Sequence, residues 1–344
     1  MGKKNVTFKD IAEYTGFSKT TVSRYFNNPD SLTLENQQKI ADALTALDYK
    51  ENKVARILAN GKTEYVGVIV PNLYFHYYSE MLNHILSTYE DFGYKFLVFV
   101  GNEKKDVERK YISELMAYKI EGMIILSHTI SSKELAGYNI PIVTIEREDK
   151  YVCSVNTDNL TGGKEAARLL SEAQCDVLIH INVMVQKNTP SYGRITGFSE
   201  YCEENGLPHE VILSDLGTTN AEATDEVTKT INDIEKKYAG KTKGIFMSND
   251  TYANILLNVL IRKHGRLPKD IKIVGFDNSS ISSDAVIPIS TIAQQIDVMA
   301  QTAMELLVKQ MDERKKRRPV PLKAPIHKTV PPLAIIRETT SDRS

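Results

Sequence analysis

Along the first quarter of the chain apolar positions recur every three to four residues; from residue 65 they gather into short continuous runs. Over 6–27, Phe8, Ile11, Ala12 and Thr15 line one face of a short helix. Gly16 breaks the pattern, and Ser18 restarts it with a hydroxyl able to cap a second helix. In 19–26 the same period buries Val22 and Phe26 and turns Lys19, Thr20, Thr21, Ser23 and Arg24 outward. Two helices on a glycine-containing turn, the second faced with cations and hydroxyls, predict a helix-turn-helix with a recognition helix. An ordinary αα-corner with a solvated face shares the apolar pattern. After the turn Asn27-Asn-Pro-Asp30 a third helix is predicted from Leu34, with Ile40, Ala43, Leu44 and Leu47 on one stripe. Residues 52–61 read as two helical turns, too short to be stable alone in water. They form either a plain linker or a hinge that becomes helical only against DNA.

From residue 65 the texture alternates. Strands are predicted at 65–70, 95–100, 122–126 and 142–145, with helices at about 79–92 and 107–118. After Thr161-Gly-Gly163 come helix 164–170, strand 177–181, helix 195–204, strand 210–214, helix 221–238, strand 244–247, helix 252–264 and strand 272–274. Such βαβ succession predicts doubly wound parallel sheets with helices on both faces. Two runs of it predict two lobes with a cleft, and ligands in such folds lie beyond the carboxyl ends of the strands. The predicted fold is thus an all-α helix-turn-helix head on an α/β body of two doubly wound parallel-sheet lobes.

Length and composition narrow the functional classes. The 344 residues suffice for two or three domains, and the 42% hydrophobic content carries no apolar run of the roughly 20 residues a membrane span requires. The N-terminus, MGKKNVTFKD, lacks the apolar core of a secretory signal. Cys153, Cys175 and Cys202 are odd in number and without metal-ligand spacing, which suits reduced thiols in a cytoplasmic protein. The net charge of −1 conceals an asymmetry: residues 1–62 hold ten Lys and Arg against seven Asp and Glu, leaving 33 against 37 for the remainder. A basic head on an acidic body suits a small DNA-binding domain joined to a part that avoids DNA.

Catalysis finds no support. No strand is followed by G-x-G-x-x-G, and there is no G-x-S-x-G or H-E-x-x-H. Gly61-Lys-Thr63 resembles the tail of a phosphate-binding loop, but Arg56 stands where its first glycine belongs. His76, His84, His128, His180, His209, His264 and His327 are scattered, as structural or exposed histidines are. The expectation is a non-enzymatic protein without metal or cofactor. Two other classes are compatible with the α/β body: a solute-binding protein for transport, and a sugar- or nucleoside-processing enzyme. The attached helix-turn-helix and the missing signal speak against the first.

Together the residues carry a resemblance over practically the whole chain. Asp10-Ile-Ala-Glu-Tyr-Thr-Gly-Phe-Ser18, Thr21-Val-Ser-Arg24, Asn27 and Asn52-x-Val-Ala-Arg56-x-Leu58 resemble the head and hinge of lactose-repressor-type (LacI/GalR) regulators. Asp158-Asn-x-x-Gly-Gly163, Arg194-x-x-Gly-Phe198, Ser248-Asn-Asp250, Gly275-Phe-Asp277, Thr291-Ile-x-Gln294 and Arg337-x-Thr-Thr340 resemble the family body, in order. Within the family, Pro71-Asn72, Tyr78-Ser-Glu80 and Ser127-His128 look like those of sucrose-operon repressors.

The resemblance implies a cytoplasmic homodimer (a tetramer fits the same residues) whose operator affinity is controlled by a small effector, expected to be a sugar. It implies a head at 1–50, a hinge helix at 51–62 and a periplasmic-binding-protein-like body at 63–344. The chain would cross between lobes near 161, 291 and 321, so lobe 1 takes 63–161 and 291–321 and lobe 2 takes 162–290 and 322–340. On a pseudo-palindromic operator Lys19 and Thr20 would meet base edges, while Thr7, Ser18, Thr21, Ser23, Arg24 and Asn27 would fix the backbone. The hinge, with Asn52 at its start, would insert Leu58 as a wedge in the minor groove. Phe75, Tyr77, Glu146, Arg194, Asn249, Asp277 and Gln294 would line the effector cleft. Three departures stand out: Glu51 where proline is usual, Tyr25-Phe26 for smaller aliphatics, and His180-Ile-Asn-Val-Met-Val-Gln without the usual Gly-Pro.

Overall fold

The computed structural model describes residues 6–50, 63–148, 150–187, 189–217, 219–320, 322 and 324–341. The predicted hinge helix, with Glu51, Asn52 and Leu58, lies outside them. The chain divides into two compact units, 1–62 and 63–344.

In the first unit, helix α1 (Phe8–Thr15) ends at Gly16, whose φ of 73° is the left-handed turn that glycine accepts without a Cβ penalty. Helix α2 (Lys19–Asn27) starts at the cap Ser18, and α3 (Leu34–Ala46) at the cap Thr33. Ile11, Val22, Ile40 and Ala43 are fully buried between the three helices. Phe26 is only half-buried; it stacks on Phe8 at 5.0 Å and meets Tyr49 at 5.9 Å. The aromatic pair that departs from the family pattern therefore extends a core that three short helices leave small.

The second unit holds two six-stranded sheets. Lobe 1 begins with strand β1 (Tyr65–Val70), helices α4 (His76–Ser87) and α5 (Tyr89–Phe92), strand β2 (Lys95–Val100) and helix α6 (Lys105–Ala117). It continues with β3 (Gly122–Ile125), α7 (Ser132–Ala136), β4 (Ile142–Ile145) and β5 (Cys153–Thr157). Lobe 2 runs through α8 (Asn159–Glu172), β6 (Val177–Val183), α9 (Tyr192–Glu204), β7 (His209–Ser214), α10 (Asn220–Lys237) and β8 (Lys243–Met247). Then follow α11 (Asp250–His264), β9 (Ile271–Asp277), α12 (Ser280–Asp284) and β10 (Ser290–Ala293). The long helix α13 (Ile296–Lys315) returns to lobe 1, where its Met299, Ala303, Met304 and Leu307 pack with Met81 and Ile85 of α4. Strands β11 (His327–Val330) and β12 (Leu333–Ile335) complete the two sheets.

The strand orders are β11-β5-β4-β3-β1-β2 and β12-β10-β9-β8-β6-β7, with apolar clusters on both faces of each sheet. Every pairing is parallel except β12, which runs antiparallel on β10. The chain passes between sheets at Asp158, at Gln294-Gln295 and at Pro331-Pro332. The third passage is thus later than the expected 321, because 327–330 pairs with β5 in lobe 1, His327 Nδ1 lying 2.8 Å from Ser154 Oγ. Residues 291–293 likewise belong to the lobe 2 sheet, paired with β9. The run Arg314–Arg318 closes α13, and its cations in the last turn favour the helix dipole.

Helices α8 and α9 meet backbone to backbone. A Cβ at Gly163 would lie 2.2 Å from the Arg194 carbonyl oxygen, and one at Gly197 would lie 1.9 Å from that of Leu160. This approach brings the first turn of α9 against the start of α8. Gly197→Ala is expected to force the helices apart at a cost of roughly 1–3 kcal/mol or more. The check is a lowered urea midpoint at unchanged slope; an unchanged midpoint would show that the helices can separate freely.

Candidate functional site

The exposed face of α2 presents Lys19, Thr20 and Arg24, whose side chains make no hydrogen bond or ion pair among the described residues. The other predicted DNA contacts are engaged locally. Ser18 Oγ accepts from Thr21 N at 3.1 Å and lies 2.9 Å from Thr21 Oγ1, while Asn27 Nδ2 donates to Ser23 O at 3.0 Å and to Ser23 Oγ at 3.1 Å. Thr7 donates its N–H to Asp10 Oδ2 at 2.7 Å, which fixes the start of α1. The helix ends are thereby secured by short polar side chains, and the three longer or central ones stay available.

In the body, four of the predicted residues come together at the carboxyl ends of strands. Glu146 follows β4, Asp277 ends β9, Gln294 follows β10, and Arg194 sits in the first turn of α9. All four are buried, at 8%, 5%, 4% and 8% exposure respectively. Arg194 donates through Nε to Asn159 Oδ1 at 2.7 Å and through Nη1 to the Ser248 carbonyl at 2.9 Å. Its planar guanidinium lies over the Phe276 ring, 3.6 Å from the centroid, and Nη2 is 3.9 Å from Glu146 Oε2. Glu146 accepts from Asn159 Nδ2 at 2.8 Å and from the Thr157 amide. Gln294 joins two elements: its Oε1 accepts from Thr157 Oγ1 at 2.6 Å and its Nε2 donates to Asp277 Oδ1 at 2.7 Å. Arg194 is held by Glu146 and makes no ion pair with Asp277 among the described residues. Arg194 and Asp277 are separately anchored.

Tyr77 is also buried at this cleft. Its hydroxyl has no hydrogen-bond partner among the described residues, and the charges that bear on it are Glu146, Asp277 and Arg194. Burial pushes its phenol well above the usual range. Ser248 Oγ, 5% exposed, is likewise buried and unpartnered. An unmet buried hydroxyl costs free energy, so two beside a buried charge cluster mark a place for another molecule's polar groups. Phe75 and Asn249 have different surroundings. Phe75 lies edge-on to Tyr252 of lobe 2 at 5.5 Å, and Asn249 Oδ1 caps α11 by accepting from Tyr252 N at 2.9 Å.

Sequence reading missed Asn159, Thr157 and Ser248 as members of this cluster, although Asp158-Asn159 and Ser248-Asn249 fall in the quoted motifs. Their signal was a short polar residue directly at a strand end, where backbone and ligand both need partners. The segment 180–182 is interior rather than rim. His180 is fully buried and stacks on Phe246 at 4.2 Å, with Nδ1 3.0 Å from the Phe246 carbonyl; burial pushes its imidazole down to about 3. Among the described residues no group of His, Cys, Asp and Glu is placed to hold a metal ion, and no helix is long and apolar enough to cross a membrane.

Burial pushes the Asp277 carboxyl up to about 7, against the opposing pull of Arg194 and of the Gln294 hydrogen bond. The folded chain then holds this proton more tightly than the unfolded chain does. Its stabilising contribution therefore falls as pH rises from the ordinary carboxylate range through 7. Asp277→Asn cannot titrate, so its melting temperature relative to the parent is expected to climb between pH 5 and 8, by roughly 2–4 °C or more. Parallel melting profiles for the two proteins would show that the carboxyl ionises normally.

Comparison with known proteins agrees with this architecture in both units. Residues 7–52 match "Bacterial regulatory proteins, lacI family", and residues 167–340 match "Periplasmic binding protein-like domain". The chain is 28% identical to the sucrose operon repressor of Streptococcus mutans, over 89% of this chain and 92% of that protein. It is 26% identical to the ribose operon repressor of Halalkalibacterium halodurans, over 97% of each. A solved structure of the lac repressor dimer bound to operator and the anti-inducer ONPF superposes with a TM-score of 0.78, at 21% identity, covering 98% of this chain and 99% of that one. With a lacI-type head, a periplasmic-binding-protein-like body and the same order of parts end to end, the chain belongs to the lacI family of bacterial regulatory proteins, which regulate transcription and are not enzymes.

Proposed function

We propose that this regulator is a cytoplasmic homodimeric repressor whose affinity for a pseudo-palindromic operator is set by a sugar bound between its lobes. The observation that carries the ligand half is the pair of buried, unpartnered hydroxyls, Tyr77 Oη and Ser248 Oγ, beside Arg194, Glu146 and Asp277. A sugar supplies hydroxyls that both donate and accept, and an apolar face for Phe75. Asn249 and Gln294 hold the cleft in shape, one by capping α11 and the other by tying Asp277 to Thr157. The names of the sucrose and ribose operon repressors, and a solved lac repressor with both operator and anti-inducer, support the same reading.

For the DNA half, Lys19 and Thr20 read base edges in the major groove and Arg24 reaches a base or phosphate. Thr7, Ser18, Thr21, Ser23 and Asn27 fix the backbone, and Asn52 and Leu58 belong to a hinge in the minor groove. The free side chains of Lys19, Thr20 and Arg24 on one helix face support this assignment. Exchanging Lys19 or Thr20 is expected to cost roughly 1–3 kcal/mol at the preferred operator and to relax choice at one or two base pairs. Non-specific, salt-sensitive binding should change far less. Equal weakening on every DNA in a mobility-shift series would make these residues positioning groups.

The ligand half is tested by operator release. With sucrose, ribose and glucose as probes, at least one is expected to shift operator affinity of the parent, and Asp277→Ala is expected to abolish that response while leaving ligand-free operator binding within about twofold, since head and body are separate units. A variant that keeps the full response would remove Asp277 from the site.

A further inference from the structure

The guanidinium at the centre of the charge cluster, Arg194, is already engaged. The groups bearing on Asp277 are Arg194, Gln294, Glu146 and Glu80; those bearing on Tyr78, next to Tyr77, include Glu103 as well. Arg194 is thus the cation bearing most strongly on these groups, against the carboxyl groups of Asp277, Glu146, Glu80 and Glu103. Arg194 cannot turn to meet an incoming anion without leaving Asn159, the Ser248 carbonyl, the Phe276 ring and Glu146. Glu80 sits across the cleft from its lobe 2 partner: the Ser280 amide donates to Glu80 Oε1 at 2.7 Å. A carboxylate therefore stands on each side of the site.

The remaining valences are of one kind. Asp277 Oδ2 has no hydrogen-bond partner among the described residues, so it is free to accept from a hydroxyl or, when protonated, to donate to one. Tyr77 Oη and Ser248 Oγ, at 8% and 5% exposure, are unpartnered hydroxyls that can donate or accept. A dianionic phosphate would meet Glu146 and, once ionised, Asp277, while Arg194 is already committed to Asn159, Ser248 and Glu146. A hydroxyl would satisfy the same carboxylate oxygen at no charge cost.

We infer that the cleft takes an uncharged polyhydroxy ligand and rejects the phosphorylated or carboxylated counterpart of that ligand. This rests on the reading of the cleft as the effector site and adds the charge class, which separates a regulator that senses a free sugar from one that senses a sugar already phosphorylated. The recognition is by ligand hydroxyls on Asp277 Oδ2 and by hydroxyl exchange with Tyr77 and Ser248.

The test is titration calorimetry on the full chain with matched probes: sucrose and sucrose 6-phosphate, ribose and ribose 5-phosphate, glucose with glucose 6-phosphate and gluconate. At least one neutral sugar is expected to bind, and its charged partner to bind at least roughly 100-fold more weakly, the factor expected for uncompensated charges about 5 Å apart at an effective dielectric near 20. Glu80→Gln, a half-exposed position on the surface of α4, is expected to narrow that gap several-fold while changing the neutral sugar's affinity less. A phosphate ester that binds as tightly as its parent, or more tightly, overturns the inference. Silence from every neutral and charged probe, with operator binding intact, would instead overturn the sugar reading beneath it.

Discussion

The body depends on how Arg194 is held. A buried guanidinium is costly unless its donors are met, and this one is met by elements remote in sequence: Asn159 at the start of α8, the Ser248 carbonyl after β8, and Glu146 after β4. Phe276 of β9 covers its face. The Glu146 contact reaches from lobe 2 into lobe 1, so the same side chain that organises the strand ends of one sheet also links the two lobes. None of this is possible unless α9 begins directly against α8, and that approach is set by Gly163 and Gly197, where any side chain would strike a carbonyl. A packing constraint between two helices thus fixes an electrostatic arrangement at the cleft.

The two carboxylates of the site stand on unusual backbone. Glu146 has φ 54° and Asp277 has φ 111°, conformations that side chains other than glycine seldom adopt. Such strain persists only where neighbours over-determine it. Here they do. The Thr157 amide and Asn159 hold Glu146, while Gln294 holds Asp277. Behind Asp277, Asp250 accepts from the Ser279 amide at 2.8 Å and from Thr291 Oγ1 at 2.6 Å, which clamps the loop after β9 to β10. The cleft is therefore preformed by the protein's own hydrogen bonds, and a ligand has only to complete the valences left open.

Much of this was legible in the sequence, because it was periodic. The head helices follow from Ile11, Val22 and Ile40 at helical spacing, and the buried strands from runs such as Tyr65-Val-Gly-Val-Ile-Val70. What escaped was aperiodic or non-local. Strand β5, Cys-Ser-Val-Asn-Thr, and strand β11, His-Lys-Thr-Val, carry too many polar residues to read as core; they pair because β4 leaves an edge to be filled and Ser154 meets His327 across it. Asn159 and Thr157 gain their meaning only from partners more than ten positions away. Glu146, Arg194, Asp277 and Gln294 were found through the family resemblance, since nothing in local spacing distinguishes them from surface polar residues. Asn52 and Leu58 lie outside the described residues, so the hinge rests on sequence alone.

Among the described residues, most of the contacts that join the lobes at the cleft are polar: Glu146 with Arg194 and Asn159, and Glu80 with the Ser280 amide, beside Phe75 against Tyr252. Each such contact is worth of order 1 kcal/mol net, since water competes for the same groups when the lobes part. A closed and an open arrangement can then differ by only a few kcal/mol, within the differential affinity of one small ligand. The rigid sheets on either side cannot absorb that change, because their cores are close-packed. It must appear at the passages between lobes and at the start of the body. That point belongs to lobe 1: Thr63 Oγ1 donates to the Lys119 carbonyl at 2.7 Å, and the Glu64 amide donates to Glu121 Oε1 at 2.8 Å. Glu121 in turn meets Lys315, at the end of the α13 helix that leaves the second passage. One helix thus runs from the cleft, where Gln294 meets Asp277, to the residues that open the body at Thr63 and Glu64.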